Sequence, residues 1–350
     1  MKLFKSLVCL VTLLGLLVVL TGCPKPANKA EPKGMVNFSF FDTVSYVYCY
    51  SDDSEKEFES KSNEVFEILE KYHRLFDIYY EHSGVVNLKT LNDNAGGEAM
   101  KVSPELIEFL LYAKELYETT NGEMNIMMGS VLRLWHDCRT EASDDPANAR
   151  IPSMAELEEA ALHTNMSCLQ IDEANGTVRI SDPEASIDVG ALGKGYATEK
   201  AAQYLYSIGA ESYVLNIGGN IRIIGHKPDG TGWGTGIKNP ADPTQYATKI
   251  TIADTSCVTS GDYERYFTVG GVRYHHIIDK DTLMPSTQFR SVTIITADSG
   301  LADALSTALF AMSYEDGLAL VERIGGVEVL WITGDGTQYC TDGFEELKMK

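Results

Sequence analysis

A glycine-rich segment in the middle of the chain limits the possible folds most. Residues 186–197 are Ser-Ile-Asp-Val-Gly-Ala-Leu-Gly-Lys-Gly-Tyr-Ala, which predicts a buried strand, then a tight turn, and then a helix. A glycine turn lets backbone N–H groups approach an anion, and the helix N-terminus adds a partial positive charge. Lys194 lies in the same turn. The segment therefore predicts an anion site, although Gly190 and Gly193, taken alone, also fit simple close packing.

A second segment supplies oxygen atoms that suit a metal ion. Residues 302–309, Ala-Asp-Ala-Leu-Ser-Thr-Ala-Leu, predict a helix on which Asp303, Ser306 and Thr307 occupy positions i, i+3 and i+4. This spacing places one carboxylate and two hydroxyls on one face of the helix. Hard oxygen ligands of this kind suit Mg²⁺ beside a phosphate. We therefore expect the two segments to form halves of one phosphate-and-metal site.

The rest of the chain alternates between helical and extended patterns, and strands outnumber helices after residue 165. Strands are predicted at 36–50, 169–171, 177–180, 213–224, 233–238, 249–252, 256–259, 263–269, 272–278, 291–297 and 327–333. Further helices are predicted at 54–79, 103–119, 131–135 and 154–162. Residues 86–97 are polar and predict a loop. The pattern indicates an α+β fold with mixed sheets and packed helices.

The amino terminus predicts export and lipid attachment. Residues 1–5 are basic, residues 6–20 are almost wholly apolar, and Leu20-Thr21-Gly22-Cys23 follows. This is the pattern of a bacterial lipoprotein signal, and the apolar run is shorter than the roughly 18 to 20 residues that span a bilayer. We therefore predict a signal peptide at 1–22, a lipidated Cys23 with a flexible tether at 23–35, and a catalytic domain at 36–350. The predicted location is the outer face of the cell membrane.

Charge and cysteine usage argue against two kinds of site. The chain has 29 Lys and Arg against 50 Asp and Glu, a formal net charge of −21, which argues against nucleic-acid binding. An anionic ligand must therefore be held by a local site against the field of the whole chain. The seven cysteines include no Cys-x-x-Cys pair, so neither a zinc site nor a full disulfide framework is expected.

Five blocks along the chain resemble the signature blocks of one protein family. They are residues 186–202, 216–220, 259–266, 274–279 and 302–309, in the order and with the spacing of the ApbE family. The resemblance covers nearly all of residues 36–345, and it implies an ApbE-like (T-fold-like) fold with two lobes around a flavin cleft. It also implies an FAD:protein FMN transferase. In that reaction FAD is cut at its pyrophosphate, FMN moves to a Thr or Ser hydroxyl of a partner protein, and AMP leaves.

The resemblance assigns binding residues in two groups. Contacts with FAD are implied for Thr43, Met124, Asn125, Asp188, Lys194 and Ile277. Ligands to Mg²⁺ are implied for the backbone carbonyl of Ala191 and for the side chains of Asp303, Ser306 and Thr307. Two segments depart from the family pattern, since the usual Met-Gly-Thr is Phe41-Asp42-Thr43 and the usual Gly-x-Phe-Asp is Gly122-Glu123-Met124-Asn125. The roles of Thr43, Met124 and Asn125 therefore depend on weaker matches.

The resemblance implies His276 and Asp303 as the catalytic residues. An acceptor hydroxyl is a poor nucleophile at neutral pH, so a base with a pKa near 7 would assist transfer, and His276 is the residue implied. The implied acceptors are flavin-bearing subunits of membrane redox pumps, of the Rnf and Na⁺-translocating quinone reductase types. Two other functions remain open on the sequence. One is a Mg²⁺-dependent FAD pyrophosphatase that releases FMN and AMP to water, and the other is a non-catalytic flavin-binding lipoprotein.

Overall fold

The computed structural model describes residues 32–349 of the chain. The predicted signal peptide, Cys23 and most of the predicted tether lie outside these residues. From Lys33 onward the described chain forms one compact unit. Its first strand begins at Lys33, so residues 33–35 belong to the fold rather than to a tether. Among the described residues, no helix has both the length and the apolar character needed to cross a membrane.

The unit mixes helices with mostly short strands. The strands are β1 (Lys33–Asn37), β2 (Ser45–Cys49), β3 (Met100–Lys101), β4 (Leu169–Asp172), β5 (Thr177–Ile180), β6 (Tyr213–Ile217), β7 (Asn220–Ile224), β8 (Trp233–Asn239), β9 (Asp242–Ile252), β10 (Ser256–Gly261), β11 (Tyr266–Val269), β12 (Val272–His275), β13 (Ser291–Thr296), β14 (Glu328–Ile332) and β15 (Gln338–Cys340). The helices are α1 (Glu55–Phe76), α2 (Leu88–Asp93), α3 (Pro104–Thr119), α4 (Gly129–Asp144), α5 (Met154–Ala161), α6 (Gly193–Ser207), α7 (Ser299–Ala311), α8 (Tyr314–Ile324) and α9 (Asp342–Leu347). This composition confirms the predicted α+β class.

An antiparallel eight-stranded sheet forms the centre, in the order β1-β2-β6-β7-β10-β13-β14-β15. Strand β13 is buried along its whole length because both faces of the sheet are covered there. Val292 and Ile294 pack in one cluster with α7, whereas Ile295 packs in another with Ile237 and Ile250 of the β8–β9 hairpin. A strand covered on both faces has no solvent-facing positions, so β13 lacks the alternation of polar and apolar residues.

Helices α1, α6 and α7 pack together beside this sheet. Helix α6 contacts both α1 and α7, and α7 lies on β10 and β13. Ala197 and Ala201 of α6 are fully buried, and their small side chains allow a close approach. The contact is closest at Gly195, where an added Cβ would lie 2.3 Å from the carbonyl oxygen of Ser299. The glycine-rich segment and the helix that carries Asp303 are therefore in direct contact.

Most predicted helices and strands are present, and the helix starts follow the capping residues in the sequence. Helix α1 begins after Ser54, whose side chain accepts from the backbone N–H of Glu57 while the Glu57 carboxylate accepts from the backbone N–H of Ser54. Helix α3 begins after Ser103, with Pro104 in its first turn as predicted. An Asn-Gly turn at 174–176 joins β4 and β5, which were predicted as strands at 169–171 and 177–180.

Two segments differ from their predicted structure. The single strand predicted at 36–50 is two antiparallel strands, β1 and β2, because the chain turns back between them. The polar segment 86–97, predicted as a loop, contains helix α2. Asn87 caps this helix, and Leu88 and Leu91 bury one side of it, which is enough apolar surface to fix a short helix in the fold.

The strand predicted before the glycine turn does not join a sheet. The backbone N–H of Ile187 donates to Oδ1 of Asn92 at 2.7 Å, and its carbonyl accepts from Nδ2 of Asn92 at 2.9 Å. The next backbone N–H, of Asp188, donates to the carbonyl of Ile126 at 2.8 Å. The Asn92 amide thus replaces a neighbouring strand, because it satisfies the same donor and acceptor that a sheet would satisfy.

Candidate active site

A cavity of about 910 Å³ opens beside the glycine turn. Its walls come from the loop before β2, the turn before α6, the β6–β7 turn, the segment after β12, and helices α4 and α7. Its size is within the range of sites for small molecules and cofactors. All predicted site residues except Ser306 line it, namely Thr43, Met124, Asn125, Asp188, Ala191, Lys194, His276, Ile277, Asp303 and Thr307. Residues that are distant in sequence therefore meet around one cavity.

Asp303 is the carboxylate at one side of this cavity. Its Oδ2 accepts a hydrogen bond from the backbone N–H of Gly195 at 2.8 Å and lies 3.8 Å from Nζ of Lys194. Burial raises the pKa of Asp303, while Lys194, the Gly195 N–H and Asn220 act in the opposite direction. Asp303 lies in the second turn of α7, because Asp298 is the N-cap. The two predicted half-sites are thus joined by direct contacts.

Ser306 has a different position from its predicted partners. Its hydroxyl donates to the backbone carbonyl of Asp303 at 2.9 Å and is hydrogen-bonded to Oγ of Ser260 at 2.8 Å. Ser306 is fully buried against β10, so the structure does not place it in the cavity wall. Thr307 does line the cavity, with Oγ1 at 3.5 Å from Oγ of Ser260. The i+4 position therefore faces the cavity with Asp303, and the i+3 position faces the sheet.

The oxygen atoms near Asp303 form a donor set that fits Mg²⁺. We call Asp303, Thr307 and the carbonyl of Ala191 the oxygen-rich end of the cavity. Among the described residues there is no group of three or more His, Cys, Asp and Glu side chains that could hold a metal. One carboxylate with neutral oxygens is typical of Mg²⁺ that shares its coordination with phosphates and water. Oδ1 of Asn220, buried without a hydrogen-bond partner in the described structure, adds another oxygen atom beside Asp303.

The glycine turn positions Asp188 and Lys194. Oδ1 of Asp188 accepts from the backbone N–H of Gly190 at 2.8 Å, and Nζ of Lys194 donates to the carbonyl of Gly190 at 3.4 Å. Burial raises the pKa of Asp188, and the Gly190 N–H, His136 and the nearby cations Arg265 and Arg139 act in the opposite direction. The turn therefore fixes both side chains through its own backbone, and both lie in the cavity wall.

His276 lies just after β12, between Lys194 and two arginines. Its Nδ1 is 3.2 Å from the backbone carbonyl of Arg265, and a carbonyl can only accept, so Nδ1 carries the hydrogen and Nε2 has the free lone pair. Burial lowers the pKa of His276 to about 3, with further lowering by Arg265, Arg139 and Lys194. The expected pKa near 7 is therefore wrong for the ligand-free protein. Neutral His276 is an acceptor over the whole physiological pH range.

Four residues of the cavity wall were missed by the sequence reasoning: Tyr79, His136, Arg139 and Arg265. Nη2 of Arg139 donates to Nδ1 of His136 at 2.9 Å, and the His136 ring lies 5.3 Å from the ring of Tyr79. Because Nδ1 accepts, His136 is neutral with its hydrogen on Nε2. Burial and the Arg139 charge lower its pKa. The i, i+3 spacing of His136 and Arg139 on a helix was a usable signal, but that helix was predicted only at 131–135.

The remaining predicted flavin contacts lie in segments that the fold holds tightly. Ile277 and Met124 are buried. The Asn125 side chain donates to the carbonyl of Thr164 and accepts from the N–H of Met127, both at 2.9 Å, so its amide fixes the chain as well as lining the cavity. We therefore expect Asn125 to contribute to a ligand site mainly through the shape of the wall.

Thr43 is held by an unusual turn. Phe41 and Asp42 have φ angles of 54° and 49°, a left-handed conformation that favours glycine. Asp42 therefore adopts a conformation that glycine would adopt without strain. Thr43 packs against Gly218, where an added Cβ would lie 2.4 Å from Oγ1 of Thr43. The loop and the β6–β7 turn therefore fit only with glycine at position 218.

Comparison with known proteins agrees with the fold. The model of the ApbE family matches residues 41–331. This chain belongs to the ApbE family. It is 31% identical to the FAD:protein FMN transferase of Vibrio cholerae, over 95% of this chain and 97% of that protein. It is 32% identical to the FAD:protein FMN transferase of Treponema pallidum, over 84% of this chain and 82% of that protein.

The solved structures agree with this family membership. The crystal structure of the ApbE protein from Thermotoga maritima superposes with a TM-score of 0.80 at 30% identity, covering 91% of this chain and 100% of that one. The ApbE-like fold expected from the sequence is therefore confirmed.

Proposed function

We propose that this chain transfers FMN from FAD to a threonine or serine hydroxyl of an acceptor protein and releases AMP, with Mg²⁺ bound at the oxygen-rich end. The observation that carries the proposal is the contact between the two half-sites: Gly195 N–H and Lys194 Nζ both approach the buried carboxylate of Asp303 at the cavity wall. Family membership and relatives named FAD:protein FMN transferase support the same reaction.

The proposed reaction exchanges one phosphorus–oxygen bond for another. The acceptor hydroxyl oxygen bonds to the phosphorus of the FMN half of FAD. The bond from that phosphorus to the bridging oxygen breaks, and AMP leaves with this oxygen. The hydroxyl proton goes to Nε2 of His276 and then to water. Phosphoryl transfer depends mainly on positioning and charge neutralisation, which this cavity offers through fixed groups.

Each residue has a role that follows from its position. Asp303, Thr307 and the carbonyl of Ala191 would hold Mg²⁺, which supplies charge neutralisation for the phosphates when bound. Lys194 contributes a second positive charge at the same side. Neutral His276 accepts a hydrogen bond from the acceptor hydroxyl through Nε2 and orients it. An anion bound beside His276 offsets the nearby cations, so substrate binding raises the proton affinity of the ring toward that of a useful base.

The acceptor and the location are also part of the proposal. The amino-terminal pattern with Cys23 supports a lipid-anchored protein on the outer face of the cell membrane. The acceptors would be flavin-bearing subunits of Rnf or Na⁺-translocating quinone reductase type complexes in the same membrane. A Cys23→Ala variant expressed in a bacterial host is expected to leave the membrane fraction, whereas the natural sequence stays in it. Equal membrane association of both would contradict lipid anchoring.

The test of the reaction uses the purified protein with FAD, Mg²⁺ and a candidate acceptor subunit. Intact-mass analysis is expected to show an acceptor heavier by one FMN less water, with one AMP formed per acceptor labelled. A chelator is expected to stop both products. Free FMN and AMP with unlabelled acceptor would indicate a pyrophosphatase instead. Bound FAD that stays intact in every condition would indicate a flavin-binding protein without this activity.

A further inference from the structure

Two arginines in the cavity wall lack a carboxylate partner. Arg139 is on α4 and Arg265 lies between β10 and β11, and both line the cavity. In the described part of the chain, the arginines in ion pairs are Arg150, Arg222 and Arg290. Neither Arg139 nor Arg265 forms such a pair, although the chain has 50 acidic residues. Both guanidinium groups are near enough to Asp188 to act against the rise in its pKa, but Asp188 brings one negative charge against two positive ones, which indicates a site for an anion from outside the chain.

One group of basic residues in the wall is called the basic end of the cavity. It consists of Arg139, Arg265 and His136. The two guanidinium groups are close enough that Arg265, together with burial, lowers the pKa of Arg139. His136 adds a neutral Nε2–H donor, because its Nδ1 is used by Arg139. Like charges held side by side repel each other, and a bound anion removes that repulsion while it accepts their hydrogen bonds.

The position of the basic end indicates which anion it binds. The backbone carbonyl of Arg265 accepts from Nδ1 of His276 at 3.2 Å, and His276 and Lys194 line the same cavity as the two arginines. Lys194 brings one positive charge, whereas a pyrophosphate brings two phosphates. Guanidinium groups match phosphate oxygens through paired N–H donors. We propose that Arg139 and Arg265 bind a phosphate group of the dinucleotide as a second anion anchor beside Lys194; this rests on the proposed function.

Two conservative variants with matched controls test this proposal. Arg139→Gln and Arg265→Gln remove the charge and keep a polar side chain. Arg133→Gln lies on the same helix as Arg139, and Arg273→Gln lies on β12; both arginines are exposed and outside the cavity wall. Calorimetric titration with FAD, FMN, AMP, riboflavin and adenosine measures affinity for each protein. Thermal unfolding checks that each variant is folded, and Arg139→Lys preserves the charge if Arg139→Gln is unstable.

We expect affinity to fall only for those ligands that carry the phosphate bound by the arginines. Each cavity variant is expected to bind FAD about tenfold more weakly or worse, the usual effect of losing a charged hydrogen bond, and the two controls are expected to match the wild type. Weaker FMN binding with unchanged riboflavin binding would assign the anchor to the flavin-side phosphate. Weaker AMP binding with unchanged adenosine binding would assign it to the adenosine side.

Three outcomes would overturn the proposal or its basis. Unchanged FAD affinity with a raised KM for the acceptor protein would mean that the arginines recognise an acidic acceptor segment, not a phosphate. Equal losses for phosphorylated and unphosphorylated ligands would mean that the variants only change the cavity shape. If the wild type binds no FAD at all, the proposed function itself fails, and this is distinguishable because it appears before any variant is compared.

Discussion

At the oxygen-rich end of the cavity the chain supplies partners for its own charge, whereas at the basic end it does not. Asp303 accepts from Gly195 and lies beside Lys194, so its carboxylate is fixed before any ligand arrives. Arg139 and Arg265 form no ion pair in the described structure, and Asp188 is a carboxylate whose charge acts on Arg139. This difference indicates that the two ends contribute to different steps of the reaction. A change at the oxygen-rich end should affect turnover, and a change at the basic end should affect binding.

The largest effect is expected from Asp303→Asn. The amide keeps the shape and one acceptor but removes the charge that would hold Mg²⁺, so AMP release should fall by about 10²- to 10³-fold. Thermal unfolding should change little, because the backbone contact with Gly195 can be retained. Asp298→Asn is the matched control on the same helix, since Asp298 caps α7 and does not line the cavity. Near wild-type AMP release by Asp303→Asn would remove the oxygen-rich end from the reaction.

The next effect is expected at the residue between the two ends. His276→Asn should lower FMN transfer to protein by roughly 10²-fold, the usual worth of general-base assistance. FAD binding should survive, because the proposed role of His276 is to accept the proton of the acceptor hydroxyl. Equilibrium FAD binding and acceptor labelling are measured on one preparation. Full transfer activity in this variant would show that the acceptor hydroxyl needs no help from the imidazole.

A smaller effect is expected on the pH dependence of the free energy of unfolding. It distinguishes His276, which lines the cavity, from a histidine outside the cavity. A histidine in the unfolded chain has a pKa near 6.5, whereas the pKa of folded His276 is about 3. Between these values the unfolded state binds more protons, so the free energy of unfolding falls as the pH drops below 6.5. His276→Asn should lose less stability than the wild type between pH 7 and pH 4 in urea denaturation.

For His163 the contribution to the pH dependence of the free energy of unfolding is expected to have the opposite sign. It lies outside the cavity wall, and its hydrogen bond to Asp182 raises its pKa. Its contribution to stability is therefore present below the unfolded pKa and is lost as the pH rises through the folded pKa. His163→Asn should lose more stability than the wild type at low pH. The same sign for both variants would contradict the charge arrangement around His276.

The smallest expected effect tests whether the Asp42 carboxylate neutralises positive charge at the basic end. Asp42 is a carboxylate in the cavity wall, and it adopts a φ of 49°. If it compensated the arginines, Asp42→Gly would destabilise the protein. Because it forms no ion pair in the described structure, we expect only relief of backbone strain, a gain of up to about 1 kcal/mol in the free energy of unfolding. Chemical denaturation measures this, and a net loss would assign Asp42 to the arginines.

The sequence was sufficient to predict the central contact of the site but not the electrostatic environment of the site residues. Lys194 and Asp303 were expected to meet, because an anion turn and an oxygen-bearing helix complement each other chemically. The lowered pKa of His276 depends on arginines brought from two other elements, and local sequence holds no information on those distances. Arg139 was missed for a related reason, since helical periodicity separates buried from polar faces but does not tell a cavity from bulk solvent.

Ser306 shows the limit of spacing rules. Positions i+3 and i+4 both lie on the side of a helix that bears residue i, so the sequence could not choose between them. The position of β10 distinguishes them. Ser260 of β10 is hydrogen-bonded to the Ser306 hydroxyl, whereas Thr307 lines the cavity. In the same way α2 could not be predicted, because its few apolar residues become decisive only when a neighbouring core is present to receive them.

The amide of Asn92 has a consequence for the order of folding. Its two hydrogen bonds to Ile187 close a segment of 95 residues and fix the backbone that leads directly into the glycine turn. A contact of such separation costs more chain entropy to form than a local one, so it follows the helices and hairpins in time. We therefore expect the anion turn to become set only after α2 has docked, when the local helices and hairpins have already formed.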